Sequence, residues 1–480
     1  MKKLFGLFYL YLWGFAIALA QDELGIAGSQ RAPVNTVYFN PSSICDSRTF
    51  IDVEFAGVGV FLYNNLAFIG KEDFSLTDFG GIGNVQYNLK KKRYAAKFNT
   101  SIKGPSFTAT YKEHSFGIHS GVNVMLDVRR IPNVAGSLIS EGLDESSTIG
   151  QQNTISNARM GLLAYGYVGV SYATIAYRWD NAILLAGATV NRILSPGGFG
   201  AHLNEWTYTV QDSSQLSTQR LQGDLAFNSF GGSLFSGKGW GMDLGVTYKK
   251  RTKGSFGYIP WSPCTDGKYK YKASFAILDI GSAKFKAPYY RYEFDKDSES
   301  NFDGSNTTNW DDPASVDSTL NMGWGAEANT SGAKLKMKLP TAFSGQFDYH
   351  VTKKLYALGV ITWGLPRKNK FGIQRASYLA VVPRWESQNY EASIPISLYE
   401  FKKPMVGLCI RVRSFIIGSD NLNAFIFNGN LSSANIYVHC KFSMYRHPKC
   451  KTKSGSSDFT KRKSRPVRQA PRSPVPCPRF

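Results

Sequence analysis

Along most of the chain apolar and polar side chains alternate with a period of two, the spacing of a strand that shows one face to oil and one to water. Phe116, Ile118, Val122, Val124, Leu126 and Val128 share one face; Gly117, His119, Gly121, Asn123, Asp127 and Arg129 share the other. Trp240, Met242, Leu244, Val246 and Tyr248 oppose Gly241, Asp243, Gly245, Thr247 and Lys249 in the same way. Tyr269, Tyr271, Ala273, Phe275 and Ile277 oppose Lys268, Lys270, Lys272 and Ser274, and Ile436, Val438, Cys440, Phe442 and Met444 repeat the pattern near the end. Strands of soluble sandwiches are shorter, about 5–6 residues, and a propeller would repeat every roughly 40–50 residues. An all-β, antiparallel transmembrane β-barrel fits best, because it needs an apolar outer band, a polar lumen and aromatics toward the strand ends.

Connections sharpen that expectation. Short ones are expected near Lys112-Glu113, Arg178–Asn181, Gly231–Gly239, Asp279–Gly281, Val351–Lys353, Ser387–Asn389 and Ser414. Longer ones fall between them, at Tyr63–Arg93, from Ile131 past Gln152, and at Ser195–Arg220, Arg251–Gly267, Asp295–Lys338, Pro366–Arg375 and Asp420–Ser433, with a brief one at Phe401–Pro404. Such alternation is the mark of short periplasmic turns and longer external loops. It predicts sixteen strands with fourteen as the alternative, so about 14–16 across residues 49–446, and an even count puts both termini in the periplasm.

The first twenty residues read as a secretory signal: Lys2 and Lys3, an apolar stretch Leu4 to Leu19, and the cleavage signature Ala18-Leu19-Ala20. Export would bring Cys45, Cys264, Cys409, Cys440, Cys450 and Cys477 into an oxidising compartment, with no pairing assigned.

Composition agrees. The 480 residues include 46 Gly, 32 Phe and 26 Tyr, with 19% charged residues and a mean hydropathy of -0.24. After the signal no apolar run approaches the roughly 20 residues of a membrane helix. The formal charge is +21, but residues 449–480 hold ten Lys or Arg against Asp458 alone. Setting aside that +9 and the two leader lysines leaves +10 for the whole body, with no basic helix, so nucleic-acid binding is not expected. Residues 447–480, basic and rich in proline, are expected to be a disordered tail able to touch an acidic periplasmic partner.

Catalytic motifs are missing: there is no G-x-S-x-G elbow, H-E-x-x-H pair or P-loop. The histidines have no acidic partner at fixed spacing, so no catalytic role, cofactor or metal is expected; His119 and His439 are taken as parts of a polar wall. Asp295, Asp297 and Glu299 suggest a calcium loop, but Ser300 stands where the turn needs Gly and Asn306 where a bidentate Glu is needed. An acidic external loop is the better reading.

Several segments resemble a Bacteroidetes-type family of outer-membrane β-barrel proteins of unassigned function. They are Asn40-Pro41, Gly104-Pro105-Ser106-Phe107, Ala276 to Phe285, Leu339-Pro340-Thr341-Ala342-Phe343, Asp348-Tyr349-His350, Pro383-Arg384-Trp385 and Ile417 to Leu422. The resemblance implies fold and location and no reaction, and does not extend to the tail. A looser similarity to barrels that carry fatty acids and other hydrophobic compounds implies that residues 21–48, with Asn40 and Pro41, plug the lumen as a hatch.

The expected function is passive transport or binding of a small or hydrophobic compound in the outer membrane. Outer-membrane lipids would surround a lumen lined by His119, Asn123, Asp127, Arg129, Asp243 and Lys249. The alternative is a structural barrel that anchors an envelope or secretion-related assembly.

Overall fold

The computed structural model describes residues 23–444, apart from 72–84, 112, 137–148, 213–214, 229–234, 252–268, 286–288, 297–299, 304–334, 353, 367–370 and 428. The leader, the basic tail, most of the acidic loop, and Cys264, Cys450 and Cys477 therefore lie outside the described residues.

Fourteen staves form one closed antiparallel barrel. In chain order the first seven are Ile51–Asn64, Arg93–Lys103 with Ser106–Tyr111, His114–Pro132, Gln152–Arg178, Ala182–Val210, Gly237–Lys250 and Tyr271–Phe285. Lys336–Lys338 with Ala342–His350, Leu355–Gly364, Tyr378–Glu386 and Tyr390–Ser393 with Ile396–Tyr399 follow; Lys403–Val406 with Leu408–Val412, Phe415–Ser419 and Ser433–Met444 complete the ring. Pro105, Pro340 and Pro395 sit in the gaps of the divided staves, where a residue without an N–H interrupts the ladder. Closure comes from the first stave pairing with the last, Ile51 opposite Met444 through to Tyr63 opposite Ser433.

That register puts both ends of the barrel domain at one rim, the rim with the tight turns at 113, 179–181 and 387–389. The outer surface is apolar: Phe116, Val170, Trp240, Phe415 and Ile436 are all at least half exposed. Near the short-turn rim Tyr177, Trp179, Tyr248, Tyr271 and Phe347 form an unbroken aromatic belt, with successive centroids 4.6, 5.8, 6.2 and 5.7 Å apart. Amphipathic rings of this kind sit at the level of lipid headgroups.

Four expectations need correction. Asp279–Gly281 is a bulge and not a turn: Asp279 has φ 54°, the facing ladder shifts register between Met242 and Leu244, and the seventh stave runs straight through. Gly231–Gly239 does not join two staves either. Gln215–Asn228 pairs with the far part of the fifth stave and with Tyr289–Lys296, outside the ring, while Gly237–Lys250 pairs directly with Ala182–Ser195. These two changes turn sixteen into fourteen, because rim extensions alternate just as wall strands do. The connection expected at Arg251–Gly267 lies outside the described residues from 252 on, but its flanks sit at the short-turn rim: Arg251 N–H donates to Asn181 O at 2.9 Å and Lys270 N–H to Lys250 O at 2.7 Å. Finally, Tyr269 is fully buried and donates its hydroxyl to Asp348 at 2.7 Å. It precedes the first paired residue, Tyr271, so the pleat does not dictate its side.

Leu244 points outward midway along the sixth stave. Replacing it with Arg should cost roughly 2–4 kcal/mol near the bilayer midplane, measured as a lower denaturant midpoint for the barrel refolded in liposomes. Full tolerance would contradict the assigned face.

Candidate functional site

Residues 23–49 enter the barrel and fill much of its lumen as three short helical turns, Leu24–Ile26, Pro33–Thr36 and Pro41–Asp46. Pro at the first position starts the latter two, where the missing N–H costs nothing. Asn40 caps the last turn by accepting from Ser42 N–H at 2.9 Å. Its amide also donates to Val246 O at 3.1 Å on the wall. Glycine makes this seat: a Cβ on Gly245 would lie 2.0 Å from Asn40 Oδ1, and one on Gly187 would lie 2.6 Å from Ser42 N.

Charge holds this N-terminal segment at two levels. Near the short-turn rim Asp46 meets Lys249 at 2.5 Å and Lys272 at 2.9 Å. Wall residues continue the network: Lys272–Asp348 at 3.4 Å, Arg384–Asp348 at 3.1 Å and Arg411–Glu391 at 3.1 Å. The hatch joins it again through Arg31–Glu386 at 3.1 Å and Ser29 Oγ donating to Glu391 at 2.8 Å. Higher up, Glu23 faces Lys103 at 2.6 Å and His439 Nε2 at 3.1 Å, while His439 Nδ1 lies 2.6 Å from Glu54. Leu24 N–H donates to Asp420 at 2.8 Å. Burial alone would raise the Glu23 carboxyl, but the facing His439 and Lys103 outweigh it and bring it from 4.5 down to about 2. Burial is likewise outweighed at Asp46, where Lys249 and Lys272 hold the carboxyl well below the usual range.

Above this segment lies a chamber of about 100 Å³. Tyr38, Phe39 and Glu23 contribute its floor, and Leu339, Pro340 and Arg375 its other side. Its walls carry Asn123, Met125, Tyr165, Tyr167, Asn191, Ile193, Asp243 and Asp279. The roof is an inward fold at the long-loop mouth: Phe371 and Ile373 pack with Met337 and Leu339 against Leu163, Tyr165 and Tyr167.

The residues singled out by sequence fall into three places. Asn123 and Asp243 line the chamber. Asp243 accepts from Asp279 N–H at 2.6 Å and Asn191 Nδ2 at 3.2 Å. Asn40, Pro41 and Lys249 lie where the N-terminal segment packs on the wall, and His119 is buried 5.8 Å from the Tyr38 ring. Asp127 and Arg129 pair bidentately, both contacts at 2.6 Å, and hold the roof: Gln374 N–H donates to Asp127 at 3.2 Å, and Arg129 donates to Gln374 O at 2.9 Å. Sequence reasoning missed Glu23, Tyr38, Phe39, Asp46, Lys103 and Arg375. The available signal was a run of cations on the inner face, Lys249, Lys272, Arg384, Arg411 and Lys441, too many to stand without acidic partners inside.

Of the six cysteines, Cys45, Cys409 and Cys440 are free thiols, and burial pushes the Cys45 thiol up to about 12. Among the described residues no group of three His, Cys, Asp or Glu side chains is arranged to hold a metal.

The chain belongs to a family described as of unknown function (DUF5723), whose profile matches residues 41–420. No curated protein matches it. Among solved structures it is similar to the Pseudomonas putida toluene transporter TodX, at 9% identity and TM-score 0.39 over 86% of this chain and 95% of that one. It is also similar to the CymD monoaromatic hydrocarbon channel, at 8% identity and TM-score 0.34 over 90% and 99% of the two chains. A Pseudomonas aeruginosa FadL homologue matches at 8% identity and TM-score 0.24, over 89% and 100%.

Two predictions test the hatch. Asp46→Asn removes the carboxylate shared by Lys249 and Lys272, a loss worth roughly 3–5 kcal/mol for a buried pair. Residues 23–49 should then become cleavable by protease in an otherwise resistant barrel. The second concerns pH. Because the Glu23 carboxyl lies lower docked than free, its contribution is complete above 4.5 and is lost as pH falls through about 2. Protease protection of the hatch should therefore survive mild acid and fail only as pH approaches that value, and Glu23→Gln should weaken protection at neutral pH.

Proposed function

We propose that this barrel sits in the outer membrane and binds or passively passes a small or hydrophobic compound, with residues 23–49 as its displaceable hatch. The observation that carries this reading is the chamber of about 100 Å³ between residues 23–49 and the roof, larger than the cavities of about 20 to 40 Å³ elsewhere along the inner wall. A solute reaching it from the long-loop rim must move the roof held by Asp127 and Arg129; leaving at the other rim requires the hatch to move. Asn123 and Asp243 contact the solute, while His119, Lys249, Asn40 and Pro41 seat the hatch. The short-turn rim and both termini face the periplasm, where residues 447–480 meet an acidic partner after residues 1–20 are removed. Surrounding lipids complete the environment, and the passage needs no cofactor.

Dense filling of the lumen favours a second reading, in which the barrel anchors an envelope assembly and passes nothing. Gly245→Leu separates the two. A larger side chain there must push Asn40 off its seat, because even a Cβ lies 2.0 Å from Asn40 Oδ1. In a liposome-swelling assay the variant should admit small neutral solutes several times faster than the parent protein. Equal, slow swelling of both, with the barrel correctly folded, would leave the anchor reading.

A further inference from the structure

On the outer face of the ring, toward the long-loop rim, cations stand where the alternation would place apolar side chains. Lys238 of the sixth stave lies directly opposite Lys284 of the seventh, and Lys284 lies opposite Lys336 of the eighth. All three are exposed, and none pairs with a carboxylate among the described residues. Two residues closer to the membrane middle, Trp240 is 60% exposed, and the Arg192 guanidinium of the fifth stave lies 4.9 Å from its ring centroid. Within Ala182–Ser195 and the sixth to eighth staves the described carboxylates, Asp243, Asp279 and Asp348, all line the lumen. Like charges directly opposite one another destabilise a sheet pair, and two such pairs in one row call for an anion laid across them. Height indicates which anion. Tyr248, in the aromatic belt of the short-turn rim, lies ten residues from Lys238 on the same stave. Ten residues at a rise of about 3.3 Å, tilted by roughly 40°, climb about 25 Å, the height of a barrel's apolar band. The lysine row therefore stands one hydrocarbon thickness above that belt, at the headgroups of the opposite leaflet. At that level an outward lysine escapes most of the penalty it would carry at the midplane.

We propose that this row is a docking surface for a phosphate-bearing lipid of the external leaflet. Its phosphates lie across Lys238, Lys284 and Lys336, and its acyl chains run down the wall past Trp240 and Met242, both exposed on the same face. Arg192 donates to Gly239 O at 3.1 Å, and a guanidinium has four further N–H groups to offer the same headgroup. An uncharged headgroup would leave the repulsion between the lysines uncompensated. The inference rests on the outer-membrane placement proposed above, with the long-loop rim outward, and goes beyond it by naming a lipid that the barrel holds selectively.

The test uses the full chain in detergent and native mass spectrometry, with two probes that share their acyl chains: a bis-phosphorylated lipid A, and the same glycolipid with its phosphates removed. Each lysine should contribute about fivefold, so the phosphorylated probe should bind roughly a hundredfold tighter. The triple variant Lys238→Gln, Lys284→Gln, Lys336→Gln should lose that preference. Lys354→Gln, which removes a cation beside Trp385 at the short-turn rim, should keep it. Lys284→Gln alone relieves both opposed pairs; it should raise the denaturation midpoint without lipid and gain less than the parent from the phosphorylated probe. Equal binding of the two probes by the parent protein, or no binding of either, overturns the proposal. So does a preference that survives in the folded triple variant or disappears in Lys354→Gln. Displacement of the lipid by an equal concentration of inorganic phosphate would mark a site for a free anion and overturn it too. Heat-shifted gel mobility reports whether each variant is folded. Should the triple variant not fold, a Lys284→Gln barrel no more stable than the parent without lipid, and gaining as much from the probe, overturns the proposal instead. Failure of the membrane placement looks different: cell fractionation would recover the chain outside the outer membrane while the preference measured in detergent persisted.

Discussion

Lipid offers no hydrogen-bond partner to a peptide group, and the closure of the sheet answers that constraint. The first stave must therefore find the last, across nearly the whole length of the chain, and Ile51–Tyr63 does so against Ser433–Met444. Everything else is arranged around this ring. Once closed, a period-two sequence can show lipid only one face, so every polar side chain of the alternation is turned toward the lumen. A polar inner wall is thus a consequence of closure before it is a device for function.

That wall is too charged to be left bare and too narrow to stay empty. Lys249, Lys272, Arg384, Arg411, Lys441 and His439 are all buried inside the ring. Each lies against a carboxylate, two of these, Asp46 and Glu23, from the N-terminal segment and the rest from staves. Burying an ion costs several kcal/mol unless partners and hydrogen bonds offset it. Filling the lumen with a segment that brings Glu23, Arg31 and Asp46 meets that requirement and gives the segment a single docked position.

Much of the barrel could be read from alternation alone, because inside and outside alternate residue by residue: Val438 and Phe442 are out, and His439 and Lys441 are in. What alternation cannot report is where the wall ends. The fifth stave continues beyond the ring and pairs there with Gln215–Asn228 in the same pattern, and the bulge at Asp279 imitates a turn. Nor could the site be assembled. Asp243 and Asn123 are recognisable as inward residues, but their meeting with Tyr38 and Arg375 depends on stave register and on segments that obey no period. That residues 23–49 pack inside the ring could not be read from alternation, since their short turns bury nearly every residue irrespective of polarity.

The pairing inside the wall also bears on whether a hatch so heavily bonded can move. When residues 23–49 leave, Lys272 gives up Asp46 but keeps Asp348, and His439 gives up Glu23 but keeps Glu54. Arg384, Arg411 and Lys441 keep Asp348, Glu391 and Asp52. Most wall cations thus retain a wall carboxylate, and water entering the opened lumen solvates what remains. The network is built so that the wall is nearly self-sufficient in charge, and the hatch adds contacts without being the sole partner of the ring. Displacement then costs the local bonds of Asp46, Arg31 and Glu23 and leaves the closure of the barrel untouched, which is the energetic condition a removable plug has to meet.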